Sequence, residues 1–226
     1  MSDDAANVVE FPRDRLAHLR TLLAEKFPET PLRSSGRWPT GVESVDRLHG
    51  GLPRGMLTEI TGSPADGSLW IAQLLRLARR ARLYAGLIDA GNAFDPGSHE
   101  SGILEHFLWV ACDTAAQAVR SADLLLRDAN LPVLLLDLQT RPLRELLRIP
   151  VSTWHRFQRL VENTSLVFII LTPQPLVEGV RMRIALRSHW TLDVMCQRRR
   201  TLWNRMELQV FERGVREVPE PWIRTA

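Results

Sequence analysis

Residues 50–70, GGLPRGMLTEITGSPADGSLW, constrain the fold more than any other stretch of the chain. A turn rich in glycine and proline leads into the short apolar segment 57–61. A glycine-bounded loop then leads into an amphipathic segment at 69–83, and the order predicts a turn, a strand, a loop and a helix. Phosphate-binding loops lie at such strand-to-helix junctions, because the amides at a helix N-terminus attract anions. The stretch therefore predicts the scaffold of a nucleotide site.

The chemical groups of such a site are missing from this loop. A working loop reads G-x-x-x-x-G-K-[ST]. The glycine positions are kept here and the lysine and Ser/Thr positions are not, which leaves a relic phosphate loop of Gly62, Gly67, Ser68 and Leu69. Pro64 removes one amide donor, Asp66 adds a negative charge, and the single lysine of the chain, Lys26, precedes the loop. We therefore expect no bound cofactor and little nucleotide hydrolysis.

Length and composition fit one sizeable domain with short extensions. The chain has 226 residues, of which 45% are hydrophobic and 24% are charged, as in ordinary globular proteins with a core. The longest apolar runs, such as 131–138, are too short for a membrane span, and the acidic N-terminus lacks a signal-peptide pattern. These features predict a cytoplasmic protein with no membrane contact. Two cysteines make no disulfide framework, and we expect Cys112 and Cys196 to be small buried groups in or beside strands.

The order of elements predicts an α/β fold with a mostly parallel sheet and helices on both faces. Strands are expected at 57–61, 84–90, 107–112, 131–138 and 165–171, and helices at 40–49, 69–83, 113–129 and 142–163. Asp113 is the expected cap of the third helix, and Pro150 the expected break in the fourth. Residues 186–197 and 205–212 alternate in polarity and predict a C-terminal β-hairpin with QRRRTLWN near its turn.

Extensions flank the predicted core on both sides. We divide the chain into an N-terminal helix and linker at 1–37, a core domain at 38–213 and a flexible tail at 214–226. One face of the predicted helix 14–27 and the proline-flanked tryptophan of the tail are candidate partner contacts, namely Leu16, Leu19, Leu23 and Trp222. The alternative for Trp222 is that it folds back on the domain's own surface.

A run of arginines near the predicted hairpin turn is a candidate for weak DNA contact. Arg198, Arg199 and Arg200 stand in a row close to Trp203. Cationic groups with an aromatic neighbour suit single-stranded nucleic acid. The alternative is a solvated turn that binds nothing. The six histidines show no ligand spacing, so we assign no metal.

Five segments, in order, resemble the ATPase core of RecA-like recombinases. TGVESVDRLHGGLPRGMLTEITG resembles the entry segment and phosphate loop, and LIDAGNAFDP the next strand with its acidic loop. LPVLLLDL resembles the strand that ends in a metal-supporting acid. FIILTPQ resembles the strand that ends in a glutamine, and VRMRIALRSHWTLDV the strand that follows. The resemblance covers residues 38–213 and implies a RecA-like core.

The resemblance assigns three positions of the relic site. Asp137 stands at the metal-supporting acid and Gln174 at the glutamine that senses the γ-phosphate. Gly91 stands where recombinases carry the catalytic glutamate. Asp137 can instead be the polar end of a buried strand, and Gln174 an ordinary loop residue. Together with the altered phosphate loop, Gly91 implies that the chain is not an enzyme.

A short, degenerate RecA-like chain of this kind is similar to the ImuA family, whose members are also described as SulA-like or RecA-like. The resemblance implies a non-catalytic accessory protein of SOS-induced translesion DNA synthesis, acting in a mutasome. Its implied partners are an inactive Y-family polymerase homologue and an error-prone replicative-type polymerase, with RecA recombinase as a further candidate. Two alternatives stay open, namely a SulA-like cell division inhibitor and an ATP-dependent, DNA-binding RecA-like protein.

Overall fold

A mostly parallel β-sheet of eight strands lies at the centre of the fold. The computed structural model describes residues 36–99, 102–188, 190–197, 199–203, 205–213 and 223–224. The strands are β1 (Arg37–Trp38), β2 (Leu52–Pro53), β3 (Leu57–Thr61), β4 (Ala85–Asp89), β5 (Phe107–Ala111), β6 (Val133–Asp137), β7 (Val167–Thr172), β8 (Met182–Arg187), β9 (Glu207–Glu212) and β10 (Ile223–Arg224). The helices are α1 (Glu43–His49), α2 (Pro64–Arg80), α3 (Ala115–Asp128), α4 (Leu143–Leu146), α5 (Val151–Val161), α6 (Leu192–Met195) and α7 (Arg199–Trp203).

The sheet order is β10–β9–β8–β3–β7–β6–β4–β5. The strands from β8 to β5 run parallel, β9 is antiparallel to β8, and β10 is antiparallel to β9. β1 and β2 form a separate two-stranded ladder. The predicted α/β class, with a mostly parallel sheet and a C-terminal antiparallel hairpin, is thus confirmed.

Helices cover both faces of the sheet and enclose one apolar core on each. The first core joins side chains of α1 and α2 to the sheet, and the second joins side chains of α3, α4 and α5 to it. Strands β3, β4 and β7 are buried along their whole length. Burial on both faces explains why β7, VFIILT, reads as a nearly continuous apolar run rather than as an alternating one.

Several local predictions are confirmed, whereas the predicted cap of α3 and the predicted burial of Cys196 are wrong. β3 occupies the predicted residues, and the helical stretch before β7 is divided at Pro150, which caps α5. The cap of α3 is Thr114 rather than Asp113, since the Thr114 side chain accepts a hydrogen bond from the amide of Gln117 at 3.1 Å. Cys112 is buried as expected, but Cys196 is exposed.

The second strand of the hairpin, β9, lies within the predicted 205–212, whereas its first strand and its turn are built from other residues than predicted. Its first strand, β8, begins at Met182 because it pairs in parallel with β3, with Met182 opposite Thr58. Burial alternates along β8 as a half-covered strand requires. The residues predicted to continue this strand instead contain α6, and part of the predicted turn forms α7.

Several predictions lie outside the described residues. They are the helix at 14–27 with Leu16, Leu19 and Leu23, the arginine at 198, and Trp222. These stay predictions, as does the division into 1–37, 38–213 and 214–226. Within the described ranges, none of the helices combines the length and apolarity that crossing a bilayer requires.

Candidate nucleotide site

The junction between β3 and α2 is shorter than the sequence predicts. α2 begins at Pro64, five residues before the predicted start, so only Gly62 and Ser63 separate it from β3. Ser63 is the N-cap, and proline follows it at the first helical position, where a missing amide hydrogen and a fixed φ favour the helix. The residues expected to form an open phosphate loop therefore form the first turn of a helix.

A capping box closes this helix end. Ser63 Oγ accepts a hydrogen bond from the amide of Asp66 (3.3 Å), and the Asp66 carboxylate accepts bonds from the amide (3.2 Å) and the hydroxyl (2.6 Å) of Ser63. The amide of Gly67 donates to Ser63 O at 3.0 Å. These amides, which would face a phosphate in an open loop, are bonded within the chain itself.

The Asp66 carboxylate takes the place of an anion at the start of α2. Only 3% of this residue is exposed, and its second oxygen accepts a hydrogen bond from the indole Nε1 of Trp190 at 3.1 Å. A negative charge is stabilised at a helix N-terminus by the macrodipole and the first-turn amides. The position that attracts phosphate in a nucleotide-binding loop is thus held by an internal carboxylate.

Gln139 covers the same junction from the neighbouring loop. Its Nε2 donates to the carbonyl oxygens of Gly62 (3.0 Å) and Ser63 (3.2 Å). A Cβ added at Gly67 would lie 1.6 Å from Gln139 Oε1, so the space above Gly67 is already occupied. Gln139 follows β6 and was not among the residues predicted from the sequence.

The two altered phosphate-loop residues lie within α2. Ser68 is exposed, and Leu69 is buried at 7% exposure. Leu69 precedes Trp70, which is fully buried in the first core, between α2 and the sheet. The position that would hold a metal-binding hydroxyl therefore carries an apolar side chain packed inside the domain.

Two carboxylates end neighbouring strands at this edge of the sheet. Asp89 ends β4 and Asp137 ends β6, and the two are directly opposite in the ladder. Asp89 accepts hydrogen bonds from the amides of Gly91 (3.1 Å) and Phe94 (2.8 Å), and Asp137 accepts one from the amide of Gln139 (2.9 Å). Each carboxylate thus fixes the loop that follows it.

Burial raises the pKa of Asp137 to about 6, with a smaller contribution from the nearby Asp89 charge, whereas the hydrogen bond from the Gln139 amide opposes the shift. No cluster of three or more His, Cys, Asp or Glu side chains suited to a metal ion occurs among the residues that the structure describes. Gly91 has no room for a side chain, because an added Cβ would lie 1.7 Å from Thr140 Oγ1. The loop after β6 fills the space that a glutamate at position 91 would need.

The loop after β7 is fixed from within the protein. Gln174 is exposed in this loop. The loop is held by Glu59 of β3, which is fully buried and accepts hydrogen bonds from the amides of Leu176 (2.8 Å) and Val177 (3.1 Å). Arg183 of β8 donates to the same carboxylate at 2.6 Å. Gln174 was predicted from the sequence and Glu59 was not, although a charged residue between the apolar residues of a strand was the available signal.

The predicted arginine row is only partly described. Arg199 lies in α7, and its guanidinium donates to the carbonyl (2.8 Å) and the hydroxyl (2.6 Å) of Ser98. It therefore ties α7 to the loop after β4. Arg200 also belongs to α7, and Arg198 lies outside the described residues. DNA contact by this segment stays a prediction.

Comparison with known proteins gives a relationship for part of the chain. No family model matches the sequence. The chain is 38% identical to protein RecA of Rhodococcus opacus and 36% identical to that of Kineococcus radiotolerans, in each case over 104 residues. It is 33% identical to protein RecA of Salinispora arenicola over 117 residues. These matches support a RecA-like relationship.

The aligned region covers up to about half of this chain and about a third of the length of the RecA proteins. The matches span 44–50% of this chain and 30–34% of the RecA proteins. The fold agrees with a RecA-like core, because the strands alternate with helices in a mostly parallel sheet that ends in an antiparallel hairpin. The activity and partners of whole RecA proteins are therefore not carried over to this chain.

Proposed function

We propose that this chain is a non-catalytic RecA-like accessory protein of the ImuA type, an adaptor in SOS-induced translesion DNA synthesis. Its partners would be an inactive Y-family polymerase homologue and an error-prone replicative-type polymerase in the cytoplasm, with RecA recombinase as a further candidate. The observation that carries the non-catalytic part is the start of α2, where Asp66 and Gln139 fill the phosphate position. The polymerase partners rest on the resemblance alone.

Electrostatics supports the absence of nucleotide chemistry. A phosphate placed about 4 Å from the Asp66 carboxylate would be repelled by about 1–4 kcal/mol per unit charge. The lysine that would offset this repulsion is missing, and hydrogen bonds to charged groups are worth about 1.5–3 kcal/mol each. Since one preorganised donor can carry a rate factor on the order of 10²–10³, the missing lysine and glutamate would leave little hydrolysis.

Calorimetry with ATP, ADP and Mg²⁺ on the purified chain tests the non-catalytic part. We expect no detectable heat at millimolar nucleotide. The variant Ser68→Lys tests the charge of the missing lysine alone at an exposed position. It should also fail to bind, because Asp66 and Gln139 still occupy the junction. Micromolar binding by the natural chain would overturn the proposal of a filled site.

Co-purification tests the adaptor part. The tagged chain is expressed in its own host before and after DNA damage, and the retained proteins are identified by mass spectrometry. We expect polymerase components of translesion synthesis, and a deletion of the gene should lower damage-induced mutagenesis. Retention of neither a translesion polymerase nor RecA, together with unchanged mutagenesis, would overturn the adaptor assignment while leaving the site analysis intact.

A further inference from the structure

The α4 surface, residues 141–151, exposes aliphatic side chains on α4, on the turn that follows it and at the start of α5. Leu143, Leu147 and Val151 are all exposed, and Leu147 has 65% of its area in solvent. The helix is firmly held, because Leu146 is buried in the second core and the amide of Leu147 donates to Leu143 O at 2.9 Å. Exposed apolar side chains that are grouped and rimmed by polar residues mark interaction sites.

Arginines line a cavity beside these aliphatic side chains. The cavity has a volume of about 370 Å³ and is lined by Arg141, Pro142, Arg144, Glu145 and Arg148. Glu145 is already engaged, since it accepts bonds from Arg141 (2.6 Å) and from the amide of Ala115 (2.7 Å). These bonds hold the pKa of Glu145 below its usual range, the amide bond contributing most.

The remaining charge of the cavity is therefore positive. Arg144 lies in α4 and Arg148 in the turn that follows it, and both are exposed. Neither has an ion-pair partner within 4 Å among the residues that the structure describes. One carboxylate, Glu145, faces the three arginines of the cavity lining, so it offsets only one of their three positive charges. Paired guanidinium groups beside aliphatic side chains complement a carboxylate-bearing, apolar ligand.

We propose that the α4 surface docks an acidic, apolar segment of a partner protein. Apolar side chains of the segment would pack on Leu143, Leu147 and Val151, and its carboxylates would enter the cavity to pair with Arg144 and Arg148. Protein is favoured over nucleic acid because the α4 surface carries no aromatic side chain for base stacking. Helices and short acidic motifs are recognised by surfaces of this composition. The site goes beyond the proposed function and does not depend on it.

A random 16-residue peptide library displayed on phage, selected on the full chain, tests this proposal. Parallel selection on the double variant Leu147→Ser, Arg148→Glu gives the background. We expect peptides enriched on the natural chain alone, with aspartate or glutamate spaced beside leucine, isoleucine, methionine or phenylalanine. Enrichment of basic peptides, or the same peptides on the variant, would overturn the proposal.

Fluorescence anisotropy of an enriched, labelled peptide then locates the site. Leu147→Ser and Arg148→Glu should each weaken binding by at least about tenfold. The matched controls Leu124→Ser, at 68% exposure on α3, and Arg159→Glu, exposed on α5, should change it less than about twofold. Equal effects of controls and test variants would overturn the proposal.

Fluorescence anisotropy of a labelled dT20 oligonucleotide tests whether the α4 surface binds single-stranded DNA instead. Loss of oligonucleotide binding in Arg148→Glu but not in Leu147→Ser, with no acidic peptide bound, would assign the arginines to nucleic acid and refute docking of an acidic segment. The circular dichroism of every variant should match that of the natural chain, because all of the substituted side chains are exposed.

Discussion

Replacing Glu59 by glutamine is expected to destabilise the domain and release the loop after β7. The carboxylate is fully buried and accepts from Thr172 Oγ1 (2.8 Å) and from the amides of Leu176 (2.8 Å) and Val177 (3.1 Å) through one oxygen. Its other oxygen accepts from Arg183 Nε at 2.6 Å. In glutamine this second oxygen becomes an amide NH₂ group, which would face the guanidinium donor directly.

The expected loss in the free energy of unfolding can be estimated from the hydrogen bonds that each carboxylate oxygen loses or weakens. The charged bond to Arg183 is worth about 1.5–3 kcal/mol, and the bonds to the first oxygen weaken when the acceptor becomes neutral. Two effects reduce the loss, since a neutral amide costs less to bury than a carboxylate and the Arg183 side chain keeps 29% exposure, so that water can reach it. We therefore expect the free energy of unfolding to fall by about 2–3 kcal/mol.

Urea unfolding followed by tryptophan fluorescence measures this loss. The matched control is Glu105→Gln, which removes a carboxylate paired with Arg79 at 55% exposure and should cost less than about 1 kcal/mol. Hydrogen exchange should also quicken at the amides of Leu176 and Val177. A loss below about 1 kcal/mol for Glu59→Gln, or one no larger than that of the control, would refute the claim that this buried carboxylate holds the loop.

Three further predictions concern the start of α2 and the carboxylate that ends β6. Gly67→Ala should lower the free energy of unfolding of the natural chain, because the new Cβ displaces Gln139. In a Gln139→Ala background the same substitution should raise the free energy of unfolding by about 1 kcal/mol through helix propensity. Urea unfolding of the natural chain, the two single variants and the double variant distinguishes the two effects. Trp190→Phe should lower the free energy of unfolding by about 1–2 kcal/mol because the Asp66 carboxylate loses a donor; an unchanged midpoint in urea would contradict this. The pKa of Asp137 is raised in the folded state to about 6, so folding takes up a proton and this residue's contribution to stability falls as pH rises from about 4 to 6. Stability of Asp137→Asn relative to the natural chain should therefore rise by about 2–3 kcal/mol across that window in urea titrations, whereas a constant difference would count against the shift.

Much of the fold can be predicted from the sequence because local patterns agree with the tertiary structure. The strand at 57–61 and the break at Pro150 are set by apolar runs and by proline, both of which act within a few residues. The hairpin fails for the opposite reason. Where β8 starts is decided by its pairing with β3, and the polarity alternation downstream, which suggested a strand, belongs to α6 and its neighbours.

The junction between β3 and α2 could be predicted in outline but not in its contacts. The sequence Ser63-Pro64-Ala65-Asp66 has the form of a helix start, so the early beginning of α2 was available from capping rules. The role of Gln139 could not be predicted from local sequence, because its hydrogen bond to Gly62 joins residues 77 positions apart. That contact exists only because the carboxyl ends of β3 and β6 meet at one edge of the sheet.

The contacts at this edge have a common physical character. The side chains of three buried residues form hydrogen bonds here. Asp66 forms them with the first turn of α2, Gln139 with the junction after β3, and Glu59 with the loop after β7. A ligand can switch a loop only if it binds one of two loop states better than the other. Here the polar groups that a nucleotide would engage are already bonded, so a second loop state would leave several buried groups unpaired at about 1–3 kcal/mol each. Under the proposed function, a partner of this chain would therefore meet a surface of fixed shape, such as the α4 surface, rather than one that a nucleotide remodels.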